Sequence, residues 1–97
     1  DYAALEIAPI GDVLTRYLIR LDVADKPGVL AAVAQTFASN NVSIETVRQS
    51  GRGSSAELII MTHSATESAL SATAKALSNS DVVKNVESVI RVEGSRP

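Results

Sequence analysis

The sequence of 97 residues contains no cysteine, and its aromatic residues amount to two tyrosines and one phenylalanine. Without cysteine the chain can form no disulfide, no thiolate metal site and no iron–sulfur cluster. The scarcity of aromatic residues, a net charge of −2 and an isoelectric point near 5.2 all argue against a nucleic-acid-binding surface. We therefore expect no nucleic-acid partner.

Long apolar runs are missing as well. No segment approaches the roughly 18 continuous apolar residues of a membrane-spanning helix, and the amino terminus lacks the basic and apolar regions of a signal peptide. We expect no membrane partner and, with cysteine absent, a reducing cytoplasmic setting. The chain begins at Asp1 rather than Met, from which we expect a piece of a longer protein.

Histidine occurs once, at His63. A single histidine lacks the further ligands that a metal site needs, and a catalytic role would require an oriented nucleophile beside it. We therefore expect a structural or surface role for His63, with no metal site and no catalytic residue.

The residues that are present alternate between strand and helix patterns, and an apolar content of 45% suffices for one core. Strands are predicted at Arg16–Val23, Val42–Gln49, Ser55–His63 and Val82–Val92. One helix is predicted to end at Ser39 and another to run from the capping-box sequence Ser64-Ala65-Thr66-Glu67 to Ser78. Asn40 and Asn41 suit the end of the first helix, because Asn tolerates the left-handed conformation. The strand alternation slips near Thr46 and Val47, which indicates a bulge.

This order, β-α-β-β-α-β, predicts an α+β, ferredoxin-like fold with two helices on one face of a four-stranded antiparallel sheet. The helices are expected to bury Leu30, Val33, Ala34, Phe37 and Ala38 in the first, and Leu70, Thr73, Ala74 and Leu77 in the second. The other sheet face is expected to carry the apolar residues Leu18, Ile59, Met61 and Val89 among the charged residues Arg20, Asp22, Glu57, Glu87 and Arg91. Such a mixed surface favours a partner.

The loop Asp25-Lys26-Pro27-Gly28-Val29-Leu30 joins the first strand to the first helix. A proline at the first helical position, followed by glycine, leaves free backbone N–H groups at the positive end of the helix dipole. A carboxylate can bind those N–H groups while an ammonium group lies near Asp25, so the loop suits a free amino acid. The same residues would also serve as a helix cap without any ligand.

The loop, the helix and the segment Asn40-Asn41-Val42-Ser43-Ile44 together resemble the ACT family of small regulatory domains. The resemblance covers about residues 16–92 and implies a regulatory domain at 16–93. Residues 1–15 would then be the tail of a preceding catalytic domain, and residues 94–97 a frayed end.

In ACT domains the effector lies between this loop and the start of the second strand, often across a subunit interface. The resemblance implies an effector site formed by Asp25, Lys26, Gly28, Val29 and Leu30, facing Asn41, Val42, Ser43 and Ile44 of a second copy in a homodimer. Asn41 also suits a plain helix end. Ser43 stands where amino-acid-binding members often have asparagine.

The strings Ala8–Asp12, Thr15–Tyr17, Val23–Leu30 and Val42–Gln49 further resemble the carboxy-terminal region of the bacterial homoserine dehydrogenase family. Those enzymes reduce aspartate semialdehyde to homoserine with NAD(P)H, and their ACT domain is associated with feedback inhibition by threonine. The resemblance implies threonine as effector and NAD(P) as a cofactor of the parent enzyme only, since no G-x-G-x-x-G turn occurs in this chain.

Two other functions share the topology. An ACT-like module could dimerise without an effector, which the serine at position 43 keeps open. An acylphosphatase-like enzyme would need an arginine after the first strand to hold phosphate, whereas Asp25 would repel the anion.

Overall fold

Strands and helices follow one another in the predicted order over residues 14–92, the part of the chain that the computed structural model describes, apart from the side chain of Arg52. The predicted tail up to residue 13 and the predicted frayed end lie outside this part. The elements are β1 (Leu14–Ala24), α1 (Val29–Ser39), β2 (Ile44–Arg52), β3 (Ser55–Thr62), β4 (Ala65–Thr66), α2 (Glu67–Ser78) and β5 (Val83–Val92).

The four long strands form an antiparallel sheet in the order β2-β3-β1-β5. This is the ferredoxin-like arrangement, so the predicted fold class is confirmed. The two-residue strand β4 was not predicted; it pairs with Leu14 and Thr15 at the start of β1. That pairing extends β1 two residues ahead of the predicted start at Arg16.

The core lies between the sheet and the two helices. Alternate residues of β1 point into it, and Tyr17, Ile19, Leu21 and Val23 are all at most 3% exposed. Helix α1 covers them with Val29, Val33 and Phe37, and α2 with Leu70, Thr73 and Leu77. Neither helix of the described part is long and apolar enough to cross a membrane.

The predicted buried stripe of α1 is wrong at three positions. Leu30 is 40% exposed, Ala38 is exposed, and Ala34 is only half-buried. Val29 takes the place of Leu30, because Val29, Val33 and Phe37 lie at i, i+4 and i+8 on the side of the helix that meets the sheet. On α2, Ala74 was also predicted to be buried, but it is only half-buried at the edge of the apolar face formed by Leu70, Thr73 and Leu77.

The predicted composition of the helix-free sheet face is wrong in β5. Val89 pairs with the buried Ile19, and Arg91 pairs with Tyr17, so both lie on the helix side of the sheet. Ile90, opposite Leu18, takes the predicted place of Val89. The cause is a register shift between the partners of Arg20 and Leu21, which leaves Glu87 without a partner residue in β1.

Other boundaries moved by a few residues. Strand β2 begins at Ile44 and continues to Arg52, so the turn into β3 is confined to Gly53 and Ser54. The expected irregularity occurs in β2, as a register shift between Ile44 and Thr46. Helix α2 is capped by Thr66 rather than Ser64, because Thr66 accepts a hydrogen bond from the N–H of Ala69 at 3.0 Å.

Candidate functional site

The loop after β1 is held at both of its ends. The N–H of Asp25 donates to the carbonyl of Ser54 at 3.4 Å, which ties the loop to the turn between β2 and β3. Gly28 has a φ of 86° and precedes the first helical residue, Val29. Its carbonyl accepts the first bond of the helix, from the N–H of Ala32 at 3.0 Å. Only glycine adopts this left-handed conformation without strain, so Gly28 determines where α1 starts.

The prediction that Pro27 occupies the first helical position is therefore wrong. Gly28 separates Pro27 from the helix and caps it with a positive φ, which the proline ring could not adopt. Helix α1 has no side-chain cap and no acidic residue in its first turn. The alternative prediction, in which the Asp25 side chain caps α1, is therefore wrong.

A cavity of about 450 Å³ opens beside this loop. Asp25, Lys26, Gly28, Val29 and Leu30, the five predicted site residues of the loop, all line it. The remaining lining residues are Val23, Pro27, Gln49 and Leu58. The structure thus brings together the whole loop half of the predicted site.

Two polar groups can orient a ligand in this cavity. The Asp25 carboxylate is exposed and reaches towards β2, where a Cβ on Gly51 would lie 3.4 Å from its Oδ2. The exposed side chain of Gln49 adds an amide that can both donate and accept. The N–H groups in the first turn of α1 have no acceptor within the helix, although that of Val29 makes a long contact of 3.4 Å with the carbonyl of Lys26.

Gln49 was missed at the sequence level. It pairs with the buried Leu58, so it lies on the helix side of the edge strand β2. The signal that could have placed it there is its spacing of two residues from Val47, which pairs with the buried Ile60 on the same side of β2.

The second predicted half forms a separate cavity of about 560 Å³, lined by Asn41, Val42, Ser43 and Ile44 with Ala34 and Ala38 of α1. Asn41 has a φ of 64° and follows the end of the helix, as expected of a helix stop. Val42 is 2% exposed and belongs to the core. Ser43 is exposed, and its carbonyl accepts from the N–H of His63 at 2.9 Å.

One chain does not bring the two halves together. They lie at opposite ends of α1, whose 11 residues span about 16 Å at 1.5 Å per residue. A free amino acid is much shorter than that. Within a single copy it can occupy one half only.

The side chain of His63 is exposed. Over residues 14–92, no group of three His, Cys, Asp or Glu side chains is placed to hold a metal ion.

Comparison with known proteins decides the family. The sequence model of the ACT domain matches residues 17–81, which include both halves of the predicted site. The chain belongs to the ACT domain family. An ACT domain of GTP pyrophosphokinase from Chlorobium tepidum has the same fold, with a TM-score of 0.63 at 16% identity over 82% of this chain and the whole of that one.

Among curated proteins, this ACT domain is similar to homoserine dehydrogenases. It is 51% identical to that of Mycobacterium tuberculosis H37Rv, over 97% of this chain and 23% of the relative. It is 48% identical to that of Corynebacterium glutamicum, over 95% of this chain and 21% of the relative. A homoserine dehydrogenase structure from Thiobacillus denitrificans superposes with a TM-score of 0.79 at 30% identity, over 90% of this ACT domain and 19% of that chain. The chain thus spans less than a quarter of the length of these relatives.

Proposed function

We propose that this ACT domain is the regulatory part of a homoserine dehydrogenase and senses a free amino acid, with threonine favoured. The observation that carries the proposal is the loop cavity, in which Asp25 lies beside the uncapped start of α1. The identity of about half to two homoserine dehydrogenases supports the parent enzyme. That enzyme would be cytoplasmic and would reduce aspartate semialdehyde with NAD(P)H in its catalytic domain.

Each group of an amino acid has a counterpart in the loop. The effector carboxylate binds the N–H groups of Gly28, Val29 and Leu30, at the positive end of the α1 dipole. The ammonium group pairs with Asp25, and Lys26 adds positive charge beside the carboxylate. The Gln49 side chain reaches the hydroxyl of threonine.

The edge strand β2 explains how a second copy completes the site. Among residues 14–92, β2 pairs only with β3, so its other edge offers backbone groups to a second copy. If two copies pair their β2 strands antiparallel, Ile44 of one copy lies near Arg52 of the other. Asn41, Val42, Ser43 and Ile44 then approach the partner's loop cavity, beside Gly51, with the Ser43 hydroxyl free to contact the effector.

Regulation follows as a population shift. An effector bound across two copies favours the arrangement of the attached catalytic domains in which both halves meet. Moving the enzyme from mostly active to mostly inactive requires differential binding of roughly 3–5 kcal/mol. A few charge-assisted hydrogen bonds of about 1.5–3 kcal/mol each are sufficient, provided that they form in one arrangement only.

Calorimetric titration of the chain with threonine tests the proposal. We expect binding that Asp25→Ala weakens by at least about tenfold, the effect of one lost charge-assisted bond. Asp81→Ala, at an exposed aspartate outside both cavities, is the matched control and should bind as the unmodified chain does. In the full-length enzyme, Asp25→Ala should abolish inhibition by threonine without lowering the uninhibited rate.

A dimerisation module without an effector remains the second candidate, favoured by Ser43 in the place of asparagine. Light scattering combined with threonine titration distinguishes the two functions. A stable dimer that shows neither heat nor a change in melting temperature with millimolar threonine would support the module and remove the sensing function.

A further inference from the structure

A groove between α2 and β5 contains chemistry that the effector site does not use. Its volume is about 290 Å³, and it is lined by Tyr17, Glu67, Leu70, Ser71, Ala74, Val89 and Arg91. None of these residues lines the two cavities described above. The groove is therefore a separate feature of the fold.

The hydroxyl of Tyr17 marks the groove as incomplete. Tyr17 is 3% exposed, and its Oη is enclosed and has no hydrogen-bond partner among the described residues. Buried polar groups are nearly always hydrogen-bonded, since an unpaired one loses its water without compensation. A phenylalanine would fill the same space without that loss. Within the described part of the chain, the hydroxyl thus keeps its hydrogen-bonding capacity for a ligand in the groove.

Two opposite charges lie in the same groove without pairing. Glu67 is in the first turn of α2, and Arg91 stands directly opposite Tyr17 in the register of β5 with β1. Both side chains are exposed, and neither forms an ion pair with a residue in the described part of the chain. Their charged atoms are more than 4.0 Å apart, so the two groups do not neutralise each other and each can pair with a ligand.

The rest of the lining is apolar. Leu70 and Ala74 follow Glu67 along one side of α2, and Val89 precedes Arg91 on the same side of β5. The groove therefore has a charged end, with Glu67, Arg91 and Tyr17, and an aliphatic end.

We propose that this groove is a second small-molecule site, which binds a free α-amino acid with an aliphatic side chain. The ammonium group pairs with Glu67 and the carboxylate with Arg91. A small movement of these exposed side chains lets the Tyr17 hydroxyl donate to the same carboxylate. The aliphatic side chain lies against Leu70, Ala74 and Val89.

Nitrogen–proton NMR spectra of the 97-residue chain, titrated with L-valine, test the site. We expect shifts at the amides of Ser71, Val89 and Arg91, with binding in the millimolar range. Isovalerate lacks the ammonium group and isobutylamine lacks the carboxylate, so both should bind at least about tenfold more weakly. If valine leaves these amides unshifted, or if either analogue binds equally well, the proposal is wrong.

Variants separate this site from the effector site. Glu67→Gln and Arg91→Gln should each weaken valine binding about tenfold, whereas the controls Glu87→Gln and Arg48→Gln should leave it unchanged. Asp25→Ala should also leave it unchanged, whether or not the loop binds threonine. Tyr17→Phe should raise the melting temperature of the free chain while it lowers valine affinity, a combination that a purely structural tyrosine would not produce. Retention of full affinity in Glu67→Gln would overturn the assignment.

Discussion

Replacement of Gly28 by alanine separates backbone geometry from side-chain space at the start of α1. Gly28 has a φ of 86°, and a Cβ built there meets no heavy atom within 4 Å. The cost of Gly28→Ala is therefore the left-handed conformation alone, about 1–2 kcal/mol. The stiffer unfolded chain offsets about 0.4–1 kcal/mol of this cost. We expect a net loss of about 1 kcal/mol in the free energy of unfolding.

Gly53 is the matched control for stability. Its φ is 70°, and it too has open space at the Cβ position, so Gly53→Ala should cost about the same. For a domain of this size, each variant should melt about 4–8 °C lower, measured by circular dichroism and by urea denaturation. A loss of several kcal/mol in Gly28→Ala alone would show that the space beside the loop is filled, which contradicts an open cavity.

Binding gives a second result from the same variant. The strained backbone of Gly28→Ala turns the amides that are proposed to hold the effector carboxylate, so threonine binding should weaken by at least about tenfold. Thr66→Ala is the control, since it loses a helix cap worth about 1 kcal/mol at the opposite end of β1. Equal weakening in both variants would attribute the effect to stability rather than to the site.

Three further predictions concern stability, each measured by urea denaturation. Thr62→Val should cost about 1–3 kcal/mol, because its hydroxyl accepts a buried backbone N–H at 3.1 Å. Thr73→Val should cost less than about 1 kcal/mol, since that hydroxyl only adds a bond to a helix carbonyl; equal costs would refute this reasoning. Thr66→Ala should lower the free energy of unfolding by about 1 kcal/mol, whereas Ser64→Ala should leave it almost unchanged. A cap at Ser64 would give the opposite result. Asn41→Ala should lower the free energy of unfolding by about 1 kcal/mol and Asn41→Gly should change it very little, because Asn41 has a φ of 64°. An unchanged stability in Asn41→Ala would refute the assumed backbone strain.

The fold was predictable because its signals are local. Alternation in β1 and the helical spacing of Val33 and Phe37 each reflect burial against one surface. The start of each helix was harder to predict, because two residues close together in the sequence could each mark it. Pro27 and Gly28 can both start a helix, and Ser64 and Thr66 can both cap one. Tertiary contacts decided the second case, since Thr66 pairs with Leu14 in β1.

The residues of the candidate site were predictable only where they are neighbours in the sequence. Asp25 and Gly28 belong to one loop, so their proximity follows from the sequence. Gln49 reaches the same cavity through the pairing of β2 with β3, which depends on the register of the whole sheet. The groove between α2 and β5 has the same origin, because Arg91 lies on the helix side only after the register shift in β5.

The unpaired residue Glu87 has a consequence for evolution and engineering. Side chains alternate along a strand with a period of two, so an extra residue in a regular strand would turn every later side chain to the opposite face. Because Val86 and Ser88 already pair with the adjacent residues Leu21 and Arg20, deletion of Glu87 would make β5 regular there and leave Val89 and Arg91 on the helix side and Ile90 on the other. The irregularity at Glu87 therefore absorbs one residue of chain length, so β5 can gain or lose a residue at this position while its two surfaces stay the same.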